Sequence, residues 1–407
     1  MYSLKWEAEA ISIQVDRMKE DSKGNVSGEI LVLHAQSEDG SHLHQARLNL
    51  TSTTSRRTLA NLLTTRLDTI DWFVLLEQAC VQVLRRLREG EPVIDLSTVD
   101  WRLTEKALIG RRNADGSVDT VIASGLPSVI FAAGGLGKSW VAIYLATLLD
   151  TGFSTEQFEV QPTKVLYLDW EANKEQLAKR QHYVLSGLDL EPPEQSIQYR
   201  RMTQSLEDAV PELMRVISTS GIELVVIDSA VPATGEAELS KSVSSFFNAI
   251  ASLKTASLII AHTAKGNEGH KTPFGSVFFE NIPRALYHLK SATSDDGDTL
   301  HLALHNTKVN GQKLIRPIAL SLAFGDEMVT VSPSTLDDVP EFHADLPLRQ
   351  RIQLALEDGA KSIRDLADEL DSDRDSVRTT LNRHKGKIFT RLTSAGEPIW
   401  GNIKLET

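Results

Sequence analysis

The sequence holds a single cysteine, Cys80, so it can form no internal disulfide and no thiolate metal cluster. No apolar run reaches the ~20 residues that cross a bilayer. The longest, 141–149, is interrupted by Tyr144 and Thr147. The N-terminus has no basic start leading into an apolar stretch, which reads as the absence of a signal peptide, and a cytoplasmic protein without a membrane partner is expected. Positive charge is also short. Lys and Arg number 43 against 55 Asp and Glu, a net charge of −12. That balance excludes a general coating of nucleic acid, so any such contact has to use local basic elements. Repeats and low-complexity tracts are missing too. What is there is a globular balance, 41% hydrophobic and 24% charged over 407 residues, with the length of two or three domains.

The pattern divides the chain into three segments joined by a connector and a linker. Residues 1–92 open with strand-like alternation at 10–15, 29–33 and 45–50. They continue with helical spacing through Leu59, Leu62, Leu63 and Leu67, then through Phe73, Leu76, Cys80, Val83 and Leu87. A small α+β domain is expected. Cys80 lies on the apolar stripe of the second helix, and packing is favoured over a reactive thiol because no basic residue sits three or four positions away. Residues 93–126 read as a connector. From 127 to 331, short apolar strands at 128–132, 165–169, 224–228, 258–261, 285–289 and 300–305 alternate with helices, which signals a parallel sheet. Residues 332–346, with Pro333 and Pro340, read as a polar linker, and 347–407 as a short, mostly helical module.

The strongest motif follows the first strand of the largest segment. Ala132-Ala133-Gly134-Gly135-Leu136-Gly137-Lys138-Ser139 leads into an apolar helix from Trp140. Strand, glycine loop, Lys-Ser and helix together are the context of a P-loop. Glycines allow successive N–H groups to curl around phosphate oxygens, and the helix N-terminus adds partial positive charge. Residues 133–140 are therefore candidate nucleotide contacts, with Lys138 reaching the β- and γ-phosphates of ATP and Ser139 holding Mg²⁺. Ala132 replaces the usual first glycine. The strand Leu224-Val225-Val226-Ile227-Asp228 places Asp228 at its carboxyl end, where it can join the Mg²⁺ shell through water. Neither Ser229 nor Ala230 supplies a neighbouring acid. Glu171, at the end of another strand, is the candidate for accepting or orienting the proton of the attacking water. Asp169 is its rival, and a first-turn helix acid is the plainer role for Glu171. His262 ends a further strand, where a hydrogen bond can register the γ-phosphate; it can also simply close the strand. The loop after it carries Lys265, His270 and Lys271 among glycines.

In this order the motifs resemble the RecA-like ATPases, and within them the hexameric replicative helicases of the plasmid RepA type with relatives in phages and mobile elements. The resemblance covers 127–331. It rests on 132–139, on Leu168-Asp169-Trp170-Glu171, on 224–229 and on Ile260-Ala261-His262-Thr263-Ala264-Lys265. It also rests on Phe274-Gly275-Ser276-Val277 with the following Asn281-Ile282-Pro283-Arg284, and on Asn306-Thr307-Lys308-Val309-Asn310-Gly311. It implies an α/β, RecA-like P-loop ATPase core, a mostly parallel sheet flanked by helices. It further implies a ring hexamer on DNA, with Glu171 as base, Asp228 as metal acid and His262 as sensor. Lys308, with Arg316 as a second candidate, would reach a neighbouring subunit's site; a solvated loop lysine is the alternative. Loops after the strands ending in Asp228 and His262 would meet DNA, through Lys265 and Lys271 in the second. The first, 231–242, sets Glu236 and Glu238 against Lys241, a poor funnel for a single strand.

The last segment reads as helices at 348–356, 362–370 and 374–385 followed by a hairpin, and so resembles a winged helix domain. Arg374, Arg378, Arg383, Lys385 and Lys387 stand on or beside the third helix against one acid, Asp375. In an acidic chain this local basic face suits DNA phosphate, although modules of this shape also bind proteins. An ATP-driven DNA motor is expected, or else a nucleotide-switched DNA-binding regulator or loader that does not unwind.

Overall fold

The computed structural model describes residues 2–34, 42–89, 93–99, 106–113, 115–194, 196–235, 240–263, 273, 278–357, 359–394 and 397–403. The chain divides into two compact units. One comprises Met1–Lys106, Gln204–Ile222 and Asn248–Lys254; the other comprises Ala107–Thr203, Glu223–Phe247 and Thr255–Thr407.

In the first unit, β1 (Tyr2–Trp6), β2 (Ile11–Glu20), β3 (Val26–His34) and β4 (His42–Asn49) pair antiparallel in sequence order. Alternation along β2 and β3 buries Ile11, Ile13, Val15, Val26, Ile30 and Val32 on one face. Helices α1 (Thr53–Thr64) and α2 (Trp72–Glu89) cover that face. Ser52 caps α1 by accepting from the Ser55 N–H, and Arg56 joins the helices through a 2.7 Å bond to Glu77. Cys80 is buried among these residues, and burial pushes its thiol up to about 11.

The second unit starts inside the stretch expected to be a connector. Strands β5 (Ala107–Arg112) and β6 (Val118–Ala123) form a hairpin rather than a tether. Leu108, Ile109, Val121 and Ile122 enter the main core. In chain order β7 (Pro127–Ala132), α3 (Lys138–Thr151), β8 (Phe158–Val160), β9 (Val165–Asp169), α4 (Lys174–Gly187), β10 (Gln198–Arg201), α5 (Leu206–Ser220), β11 (Leu224–Asp228), α6 (Ala230–Thr234), α7 (Ser240–Leu253) and β12 (Ala256–His262) follow, of which α5 and the end of α7 from Asn248 belong to the first unit. After them lie α8 (Phe278–Asn281), β13 (Ala285–Thr293), β14 (Thr299–Val309), β15 (Ile318–Phe324) and β16 (Val329–Ser334). The main sheet has nine strands in the order β10-β9-β11-β12-β7-β13-β14-β15-β16. Pairs from β10 to β13 are parallel, and β14 to β16 extend the sheet antiparallel. The fold is thus α/β with a large, mostly parallel sheet. Its central parallel strands β9, β11 and β12 are buried almost throughout and mostly apolar up to the polar residues at their carboxyl ends, as a sheet covered on both faces requires.

The stretch expected to be a polar linker is also packed. Strand β16 runs to Ser334, and Pro340–Asp345 forms a 3₁₀ turn. Leu336, Val339, Phe342 and Leu346 are buried with Ala303 and Ala319 of the sheet. Beyond it lie α9 (Leu348–Ala355), β17 (Lys361–Ser362), α10 (Ile363–Glu369), α11 (Arg374–Arg383), β18 (Phe389–Ser394) and β19 (Glu397–Asn402). Ser362 and Asp365 form a reciprocal capping box at the start of α10. Ile352, Leu366, Val377, Leu381, Phe389 and Trp400 make a separate small core under the antiparallel sheet β17-β19-β18.

Candidate functional site

Strand order brings the chemistry together. At the carboxyl ends of the parallel strands Asp169 of β9 lies beside Asp228 of β11, and His262 of β12 lies beside Ala132 of β7, where the glycine loop departs. Residues far apart in sequence therefore converge at one sheet edge. A cavity of about 300 Å³ opens there, lined by Gly135, Leu136, Gly137, Lys138, Ser139 and Trp140 together with Glu171, Asp228 and His262.

The loop's backbone explains its glycines. Gly135 and Gly137 have φ of 78° and 86°, the left-handed region that side chains with a Cβ rarely adopt. Gly137 is also the N-cap of α3 and offers no side-chain acceptor, so the first N–H groups of the helix are left for an incoming anion. Ala133 and Gly134 continue the loop from β7. Lys138 is only 6% exposed. Its Nζ donates to the oxygens of Ala132 and Ala133 at 3.1 and 2.7 Å and lies 3.4 Å from His262 Nδ1. Burial pulls its pKa down, while the charges of Asp228 and Glu171 push it back up.

The acids are held in three different ways. Asp169 is buried and fully engaged: Oδ1 accepts from the N–H groups of Glu171 and Ala172 at 2.9 Å each, and Oδ2 accepts from Tyr199 at 3.0 Å. It acts as the cap of the turn that presents Glu171, and its lone pairs are committed. Glu171 is half-exposed and faces the cavity. Its Oε1 accepts from the Ser229 hydroxyl and lies 3.6 Å from His262 Nε2. The His262 contact, then Ser229 and the Lys138 charge, hold its carboxyl down at about 2 against the cost of burial. A lysine ammonium only donates, so in its contact with Lys138 the ring accepts at Nδ1 and carries its proton on Nε2, toward Glu171. Asp228 is buried, and burial raises its pKa despite hydrogen bonds from Tyr167, at 2.7 Å, and Ser139.

Among the described residues no cluster of three or more His, Cys, Asp or Glu is arranged to hold a metal. The Ser139 hydroxyl beside a desolvated Asp228 carboxyl nevertheless fits Mg²⁺, which takes few protein ligands and completes its shell with phosphate and water. A bound cation there would supply the charge that buried Asp228 lacks.

Three further residues join the site without a signal in the motifs. Ser229 fixes Glu171 from the neighbouring strand end. Tyr167, two residues before Asp169, holds Asp228 from beneath. Arg180, from α4, lines the cavity with its guanidinium 5.6 Å from the centre of the Trp140 ring, and Phe324 meets that ring edge-on at 5.3 Å. Arg180 stands nine residues after Glu171, and only α4 folding back over α3 shows that it shares the cavity. Lys308 is elsewhere. Its ammonium donates to the main-chain oxygens of Asn281 and Pro283 at 2.6 and 2.7 Å, so the solvated loop lysine does not describe it, and it does not line this cavity.

Of the expected DNA contacts, Lys265 and Lys271 lie outside the described residues, as do Glu236, Glu238 and His270. In the C-terminal module Arg374 and Arg378 are exposed, at 3.8 Å from Asp368 and 2.8 Å from Asp375 respectively. Arg383, Lys385 and Lys387 are exposed and form no ion pair among the described residues.

No helix of the described residues is long and apolar enough to cross a membrane. No curated protein matches the chain. Among solved structures it is similar to a KaiC-like protein from the hyperthermophilic archaeon Pyrococcus horikoshii OT3, at 13% identity and a TM-score of 0.40, over 56% of this chain and 99% of that one. The family model of the AAA domain matches residues 96–268, a span that runs from before β5 through the glycine loop, Glu171, Asp228 and His262. With the loop and its cavity, that match makes this part of the chain a P-loop ATPase domain.

Proposed function

We propose that the chain is a RecA-like motor that hydrolyses ATP and acts on DNA, an oligomeric replicative helicase of the kind carried by plasmids, phages and mobile elements. One observation carries the reading: Lys138, Asp228, Glu171 and His262 face a single cavity at the glycine loop. Lys138 and the loop N–H groups hold the phosphates, and Ser139 and Asp228 hold Mg²⁺, which neutralises charge on the β- and γ-phosphates. Glu171 orients the attacking water and takes its proton. His262, already beside both Lys138 and Glu171, exchanges these contacts for the γ-phosphate and regains them when the phosphate leaves.

The C-terminal module acts as a winged helix, with α11 and the following Lys385 and Lys387 against DNA phosphate. The loop with Lys265 and Lys271 meets DNA near the sheet edge. The motor works in the cytoplasm as a ring hexamer. Single-stranded DNA then stimulates ATP hydrolysis and a forked duplex is opened. Hydrolysis indifferent to DNA removes this reading.

A second reading has its own support. Lys308 is tied to carbonyls of its own chain, where a residue reaching into a neighbour's site would be free. That favours a nucleotide-switched DNA-binding regulator or loader. Stimulation by DNA without opening of the fork, and a mass that does not rise with nucleotide, select it.

A further inference from the structure

Away from the glycine loop, a cavity of about 510 Å³ opens where the start of β15, the end of β16 and the first turn of α9 meet. Arg111 from the end of β5, Arg316 from the turn before β15 and Arg349 from α9 all line it. Among the described residues none of these arginines is in an ion pair. Arg111 donates to the main-chain oxygen of Arg316, which keeps two like charges close together. Burial, and the neighbouring Arg316 charge, pull the Arg111 guanidinium down, with Asp119 acting the other way.

The acids in the lining do not answer this charge. Asp345 is occupied by Lys290, which donates to its two oxygens at 2.5 and 2.7 Å, and His305 Nε2 lies 3.6 Å away. Asp337 is exposed. The amino end of α9 adds to the demand for an anion: Pro347 at its N-cap has no side-chain acceptor to offer the first-turn N–H groups. In a chain of net charge −12 the lining sets three guanidinium groups against Asp337 and an Asp345 already held by Lys290, while Asp119 and Asp115 act on Arg111 and Arg316 from outside the lining without an ion pair among the described residues. Forked donors, an excess of positive charge in the lining and a helix amino end share one natural complement, a compact anion with several acceptor oxygens.

We propose that this cleft is a phosphate-binding site separate from the nucleotide cavity. Its ligand is a phosphate group, either in a nucleic-acid strand or in a free polyphosphate. The strand is favoured, because the cleft is larger than one phosphate and sits at the root of the module that carries Arg383, Lys385 and Lys387. The site needs no hydrolysis and stands whether or not the chain unwinds DNA.

The test uses the full chain carrying Lys138→Ala, which takes away the lysine of the glycine loop and so weakens it as a competing anion site. Titration with sodium pyrophosphate, followed by calorimetry, is expected to show saturable binding. Adding Arg349→Glu weakens it by roughly tenfold or more, Arg349→Gln weakens it less, and Arg349→Lys restores part, as expected for loss of a charge-assisted hydrogen bond. Circular dichroism melts establish that each variant is folded, and Arg349→Gln serves if the reversal is not. Displacement of pyrophosphate by a short single-stranded oligonucleotide assigns the strand as ligand; no displacement assigns a free polyphosphate. Absence of pyrophosphate binding to the Lys138→Ala chain, or binding unchanged by Arg349→Glu in folded protein, overturns the proposal.

Discussion

At the glycine loop each charged side chain is answered by another. Lys138 is 6% exposed and faces Asp228 and Glu171, Glu171 takes His262 and Ser229 on one oxygen, and Asp169 accepts from two backbone N–H groups and the Tyr199 hydroxyl. In the C-terminal module the cations stand in solvent, with Arg383, Lys385 and Lys387 unpaired among the described residues. The difference matches the two roles proposed for these regions. Buried, mutually oriented charges are stronger than exposed ones and need no rearrangement when charge develops on a reacting group. Exposed cations are screened and mobile, which suits a contact made through counterion release rather than through fixed geometry.

If this contrast holds, the two regions respond to different perturbations. Glu171→Gln removes the water-orienting carboxylate and leaves the phosphate cradle intact. Turnover is expected to fall by roughly 10²–10⁴, with nucleotide affinity little changed, as read by phosphate release and calorimetry on the same sample. Equal loss of both would place Glu171 in binding instead.

His262→Ala sharpens the electrostatic side of the comparison. The His262 contact is the largest cause holding the Glu171 carboxyl at about 2, below its ordinary 4.5. A depressed carboxylate contributes stability above its unfolded pKa and loses it as pH falls through the folded one, so this contribution is present above 4.5 and disappears toward 2. Removing the ring is expected to move the acid limb of the turnover–pH profile upward, toward 4.5. An unmoved limb would detach His262 from Glu171.

The smallest effect is expected at the exposed cations. Arg383→Gln with Lys385→Gln should weaken binding to duplex DNA several-fold at moderate salt. It should also flatten the slope of log affinity against log salt by about 0.9 per charge removed. Anisotropy at a series of salt concentrations checks it. An unchanged slope would take these cations off the DNA.

The placement of the motifs was largely legible in the chain because a glycine loop, a Lys-Ser pair and acids at strand ends are local patterns. Strands β7, β9 and β11 announce themselves as short apolar runs, and the expected and observed bounds nearly coincide. Edge strands do not. Strand β10 is the tetrapeptide Gln198-Tyr199-Arg200-Arg201, and β16 contains Pro333, a residue tolerated where no partner needs its N–H. The stretch read as a connector and the one read as a polar linker place Ile109, Ile122, Val339 and Phe342 in cores, a decision made by tertiary partners. Partnerships were the least visible layer. Nothing near Ser229 announces that its hydroxyl meets Glu171, and nothing near Lys308 announces the carbonyls of Asn281 and Pro283.

The measurement closest to the central claim is calorimetric titration of the whole protein with ATP in the presence of Mg²⁺, using a non-hydrolysable analogue as control, set beside the same titration of Lys138→Ala. Saturable uptake by the native chain, and loss of it in the variant with its melting profile preserved, is the predicted result. No uptake by the native chain, or equal uptake by the two, would contradict the account.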